Sequence, residues 1–260
     1  MNEKRASSLR KGKLFKFLFV IAAIIGIFAS TIVWLAGTIR QGLDLQGGTH
    51  IVMQAEDTPE NKVTPEAVTQ VIKIMEKRIN ELGLTEPIIQ REGSSRIIIE
   101  LPGEKDPEKA IETIGKTAVL EFKDEDGNVR LTGEDLKNAK EQMGQNKAPV
   151  VALEFTSQGA KKFADLTSAN IGRHIGIYLD GEELTNPVVN EAITGGQAVI
   201  TGQRTLEEAK NLSILLRSGA LPVKVSVLEV RTVGRSLGQD SKDKSVMAFA
   251  IGLALIELFM

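Results

Sequence analysis

Residues 17–39 contain no charge from Phe17 to Ile39. As a helix rising 1.5 Å per residue, this run measures roughly 34 Å, enough to cross a hydrocarbon core of about 30 Å. A secretory leader has a shorter apolar core, roughly 7–15 residues, and ends at a small-x-small cleavage site. This run is longer and has no clean site, so 17–39 reads as an uncleaved transmembrane helix. Lys4, Arg5, Arg10, Lys11, Lys13 and Lys16 precede it against Glu3 alone, and only Arg40 flanks its other end. The positive-inside rule then puts a basic tail, 1–16, in the cytoplasm and the chain from residue 41 onward outside. Trp34 falls near the outer end, at interfacial depth. The net charge is −2 even with that basic tail, so the remainder is acidic and carries no footprint for nucleic acid. There is no cysteine, which excludes disulfides, thiolate metal sites and cysteine nucleophiles.

A second apolar run, 246–260, reads VMAFAIGLALIELFM. It would make only about 22 Å of helix, short of a span. It stops in mid-pattern without a cap or a basic flank, and reads as the start of a second transmembrane helix, cut short, of a longer parent. Glu257 within it is costly in lipid and should face protein, water or the interface of a tilted helix.

Between the two runs lie roughly 200 residues of ordinary globular composition, enough to bury a core. THIVMQAE alternates like a strand. A helix follows, with Thr64 as N-cap, Pro65 at its first position, an apolar stripe of Val68, Val71, Ile72, Met75, Ile79 and Leu82, and Gly83 as its stop. IIQRE and RIIIEL pair around Gly93-Ser94-Ser95. Asp106-Pro107 opens a helix ending at Gly115, and AVLEFKD closes the unit. The order β-α-β-β-α-β is that of ferredoxin-like domains, so the fold class is α+β.

Residues 124–148 are polar and read as a surface connection with one short helix. VVALEF then begins a second series: a helix capped by Thr156, a strand and turn in HIGIYLDG, a strand in AVITG, a helix opened by the capping box Thr205 to Glu208 and stopped at Gly219, and a last strand, VKVSVLEVRTV. AVLEFKDEDG and VVALEFTSQG look alike, through either a weak duplication or two similarly buried strands.

No nucleotide loop, dinucleotide fingerprint or zinc-protease motif occurs. His50 and His174 are the only histidines and both fall in expected strands, without the further ligands that a metal site needs. The serines lack a nucleophile elbow, and Glu207-Glu208 is explained as a capped helix start. The chain therefore does not read as an enzyme, and implies no cofactor and no metal.

The apolar run is followed at once by GLDLQGGTHIVMQ. Mechanically, Gly47 and Gly48 let the chain turn sharply into a strand, and Asp44 can satisfy the freed amides of the turn. The same stretch, with Gly42, Asp44, Gly47 and Gly48, resembles the signature of the SecD/SecDF family. So do VIKIMEKRINELGLTEPIIQREGSSRIIIELPG, TAVLEF, LTGEDL, NEAITGGQAVITG and NLSILLRSGALPVKVSVLEVRTVGRSLGQDS. In joint order they cover nearly all of 40–241.

The resemblance implies an accessory subunit of protein export in the bacterial plasma membrane. It would work beside the SecYEG channel and SecF, in contact with membrane lipid, and draw unfolded secretory polypeptide outward with energy from the proton gradient. It also implies a ferredoxin-like extracytoplasmic base, residues 41–130 with 200–232, and an inserted α+β head, residues 131–199, both flanked by transmembrane helices. In the family the residues tied to proton passage lie in later membrane helices, beyond residue 260. What this chain does itself would be anchoring and contact with polypeptide. Candidate joins for a moving head are Thr132-Gly133 and the stretch holding Gly195, Gly196 and Gly202; ordinary turn chemistry explains each of them equally well. The rival reading is a membrane-anchored extracytoplasmic module that senses a ligand or scaffolds a partner without transport.

Overall fold

Alternating burial sets the first sheet. In β1 (Gly48–Glu56), Ile51, Met53 and Ala55 are buried and the residues between them only partly so, the period of a strand with one covered face. β2 (Ile88–Glu92) and β3 (Arg96–Pro102) make the expected hairpin, and β3 buries Ile97, Ile99 and Leu101. Helix α1 (Pro65–Leu82) starts where the Thr64 hydroxyl accepts the amide of Ala67, and ends at left-handed Gly83, whose N–H returns to the carbonyls of Asn80 and Ile79. Helix α2 (Pro107–Gly115) buries Ala110, Thr113 and Ile114. This is a computed structural model, and it describes Leu43 and residues 47–58, 61–84, 87–103, 107–144, 146–233 and 235–259. The expected transmembrane helix 17–39, together with Gly42 and Asp44, lies outside the described residues.

The strand expected to close this sheet does not. β4 (Leu120–Lys123), within AVLEFKD, pairs elsewhere; the closing strand is β11 (Lys224–Val233), antiparallel to β1 with Gly48 opposite Val233. The sheet order is β11-β1-β3-β2. The physical reason is burial on both sides of the choice. β4 sends Leu120 and Phe122 into a different core, while Val223 just before β11 and Val225 within it complete the core under α1 and α2.

The second lobe has two sheets. One, in the order β5-β4-β8-β9, holds β5 (Val129–Thr132), β8 (Gly176–Leu179) and β9 (Glu182–Thr185); the other, β10-β7-β6, holds β6 (Leu136–Met143), β7 (Pro149–Phe155) and β10 (Gln197–Ile200). Helices α3 (Ser157–Ala169) and α4 (Leu206–Ser218) pack with them. Phe122, Phe155 and Phe163 meet at ring separations of 4.6 to 6.0 Å in the centre. The two look-alike segments thus do the same job, each placing a Leu and a Phe in one core: Leu120 and Phe122 from β4, Leu153 and Phe155 from β7.

One expectation needs correction here. Residues 124–148 are not a connection with one short helix: they hold β5, a single 3-10 turn at Gly133–Asp135, and β6. β6 reads as polar because it buries only Ala139. The core that Leu131 belongs to draws on residues from Ala118 to Leu216. Beyond β11, helix α5 (Arg235–Phe259) takes in most of the second apolar run, with Val246, Met247, Phe249, Ile251, Leu255, Ile256 and Phe259 exposed. Among the described residues no helix is long and apolar enough to cross a membrane.

Candidate functional site

The chain passes between the lobes twice. It leaves the first core at the end of α2 and enters the second at Ala118; it returns after α4 and rejoins the first core at Leu221. The amide of Leu221 donates to the carbonyl of Thr117 at 2.8 Å, so the two crossings run side by side. The outgoing crossing is held further by Asp180, whose carboxylate accepts the amides of Ala118 and Val119 at 3.0 and 2.9 Å.

Arg78 sits where the crossings meet. It comes from the buried face of α1 and is 0 % exposed. Its guanidinium donates to the carbonyls of Thr113 (3.3 Å), Ile114 (2.9 Å) and Lys116 at the end of α2, and to the Ser218 hydroxyl (3.0 Å) and the Gly219 carbonyl (2.8 Å) at the end of α4. Each helix C-terminus carries a partial negative charge and unpaired carbonyls. A buried cation is costly unless its donors are met and its charge is balanced. Here two helix ends converge to do both, aided by the more distant charge of Asp180. Burial pulls the guanidinium down to about 10, and Asp180 opposes that fall. Arg78 therefore stays charged at neutral pH.

A second ring of contacts surrounds it. Arg217, at the end of α4, meets Glu81 of α1 at 2.8 Å and also donates to the Ala139 carbonyl of β6 at 2.6 Å. Lys77 of α1 donates to the Arg217 carbonyl. Ser213 of α4 donates to Glu141 of β6 at 3.0 Å. The Glu141 carboxyl lies below its ordinary value, held there first by the amide of its own residue and then by Ser213, Arg217 and Lys210 against the opposing effect of burial. Lys109 of α2 and Glu207 of α4 pair at 3.2 Å in the open. Beside them a cleft of about 710 Å³ separates α2 and α4, lined by Lys116, Leu184, Gln203 and Asn211 among others.

Of the residues expected from sequence, Gly47 leads into β1 and Gly48 begins it. The carbonyl of Gly47 accepts the Gly103 amide at 2.9 Å, and Gly48 has φ +136 with no room for a side chain: a Cβ would stand 2.3 Å from the Leu101 carbonyl oxygen. The pair therefore locks the strand start against the end of β3. Thr132 and Gly133 lie inside the second lobe, where the Thr132 amide donates to Asp135, itself paired with Lys162 at 2.8 Å. The carbonyl of Gly196 accepts the Phe155 amide at 3.0 Å, Gly195 faces open space, and Gly202 borders the cleft. None of these five lies at a crossing. His50 sits in β1 at 3.5 Å from Glu100, and exposed His174 meets the Asn186 carbonyl rather than lying within a strand. Among the described residues no three metal-ligating side chains cluster.

Sequence reasoning missed Arg78, although a signal was present. Positions 71, 75, 78 and 82 lie on one helical face, so an arginine at 78 falls within the apolar stripe.

Two α+β lobes, the second inserted between α2 and the last strand of the first, define the class: a two-lobed module joined by paired crossings. Three family models match it in chain order: "SecD/SecF GG Motif" over 32–59, "Protein translocase subunit SecDF, P1 domain, N-terminal" over 68–127, and "SecDF, P1 head subdomain" over 113–223. The protein translocase subunit SecD of Acidaminococcus fermentans is 59% identical over 245 residues, covering 94% of this chain and 59% of that protein. SecD of Dictyoglomus turgidum is 48% identical, covering 92% and 60%. A solved structure of SecDF, described as a membrane component that enhances protein export, has a TM-score of 0.63 at 38% identity and covers 70% of this chain and 99% of that one. SecDF in its super-membrane-facing form gives 0.69 at 38% identity, covering 85% and 35%. The chain belongs to the SecD/SecDF family. It spans about 60% of the length of the first two relatives.

Proposed function

We propose that this chain is the anchoring and polypeptide-handling part of a protein-export subunit. The 59% identity to a SecD across 94% of the chain, through both lobes, carries the reading. In it the first lobe is a ferredoxin-like base, flanked by a transmembrane helix at 17–39 and by the start of a second at 246–260, in the bacterial plasma membrane with the amino terminus cytoplasmic. The second lobe is an extracytoplasmic head. Its partners are SecYEG, SecF, lipid and unfolded secretory polypeptide, and translocation draws on the proton gradient through parts of the protein beyond those described. No catalytic chemistry is required of this chain.

The geometry supports such work. β11 is ten residues long, so the head sits about 30 Å from the end of the base sheet where β1 begins and β11 gives way to α5. Strand edges such as β10, with Val199 half exposed, offer main-chain hydrogen bonds that ignore side-chain identity. That suits weak binding of many sequences. The head would shift bound chain by turning on the base.

The test is a covalent lock. Lys109→Cys and Glu207→Cys, joined by a short bifunctional reagent across the two lobes in the full-length protein, should leave folding intact and slow export of a secretory substrate in membrane vesicles. Export at the unlocked rate would refute the moving head.

A further inference from the structure

The joint contains two kinds of contact, and they answer differently to rotation of the head. Those of Arg78 end on the crossings or on the last turn of the helix leading into them: Thr113, Ile114 and Lys116 on the way out, Ser218 and Gly219 on the way back. These atoms lie close to any axis through the paired crossings and move little when the head turns. Glu81 and Arg217 differ. Glu81 projects from the base helix, and Arg217 reaches it while also holding the edge strand of the head through the Ala139 carbonyl. A turn of the head carries Ala139, and with it the Arg217 guanidinium, away from α1. The pair is largely shielded, with side chains 21 % and 29 % exposed, so it is less screened than the outlying Lys109–Glu207 pair at 60 % and 63 %.

We propose that Arg78 is the fixed pin of the joint and that the Glu81–Arg217 pair is a latch selecting one head orientation. The inference rests on the reading of a head that turns on its base. It moves the pivot from the glycine-bearing turns at 132–133 and 195–202 to the crossings at 115–119 and 218–221. Nothing is gained or lost covalently; the latch opens when the carboxylate and the guanidinium each take water in place of the other. Its worth is at the upper end for a partly exposed pair, so breaking it shifts the ratio of the two orientations about fivefold.

The chain has no cysteine, so Lys73→Cys on the base and Glu182→Cys on the head place two spin labels without background. Both positions are exposed. Distances are measured by double electron–electron resonance on the full chain in nanodiscs, in the parent, in Glu81→Gln, in Arg217→Met and in the double variant. The expected result is a second distance whose share rises about fivefold in each single variant and no further in the double, since either change opens the same latch. A second distance populated equally in all four overturns the latch and leaves the moving head standing. One unchanged distance throughout overturns the moving head itself.

Discussion

Replacing Arg78 by methionine keeps an unbranched apolar stem but shortens the side chain and removes every donor. The Ser218 hydroxyl also donates to the Leu215 carbonyl and can reorient, and the Thr113 contact is long at 3.3 Å. The carbonyls of Ile114, Lys116 and Gly219 lose their guanidinium partner at two helix ends, the Ile114 contact buried and the other two part-buried. A buried acceptor costs about 1–3 kcal/mol when stranded, and less where water reaches it. Relief from burying a charge works the other way, as the guanidinium's depressed value of about 10 attests. The balance is a loss of about 4 kcal/mol, three charge-assisted contacts of about 1.5–3 kcal/mol each less that relief. Total domain stabilities run to only about 5–15 kcal/mol. In urea, with a slope near 2 kcal/mol/M, the unfolding midpoint followed by circular dichroism should fall by about 2 M. Lysine keeps the charge but offers three donors from one atom, so it should recover only part of the loss. A midpoint for Arg78→Met within about 0.5 M of the parent would refute the claim that this arginine holds the joint.

Two glycines give a matched comparison: Gly48→Ala meets backbone at 2.3 Å and should cost more than ~3 kcal/mol, whereas Gly83→Ala, with open space around its Cβ, should cost only ~1 kcal/mol for its left-handed φ of 81°. Urea midpoints of both variants check the order. Glu141, whose carboxyl is held low first by its own amide and then by Ser213 and positive neighbours, stabilises the fold above the ordinary glutamate value of about 4.3 and loses that contribution as pH falls below it. Glu141→Gln should therefore narrow the stability difference between pH 6 and pH 3, measured as the shift in thermal midpoint; an unchanged difference would count against the assignment.

Local chemistry was legible in the chain, and long-range pairing was not. Thr64, Pro65 and Gly83 delimit α1 as their types require, and Thr156 and Thr205 cap α3 and α4 through the amides of Gly159 and Glu208. These signals are complete within a few residues. The partner of β1 lies in β11, across the whole inserted lobe, and no local pattern states that pairing. AVLEFKD is as apolar as a closing strand should be, so alternation alone placed it in the nearer sheet. β6 was hidden because LKNAKEQM is favourable to helix and buries one alanine, its strand state being fixed by β7 beside it. Of the candidate site, Gly47 and Gly48 were readable as a required tight turn. The joint was not, because Arg78 gains its meaning only when the ends of α2 and α4 arrive from 35 and 140 residues away.

The central claim is that the head lobe touches polypeptide in transit. Photocrosslinking amino acids placed at exposed Ile193 and Val199 of the full-length protein, in membranes carrying a stalled secretory protein, test it most directly. The account predicts adducts between the head and the stalled chain that disappear when the chain is released. No adduct from either position, in membranes where a probe in the channel does crosslink the same chain, would contradict it.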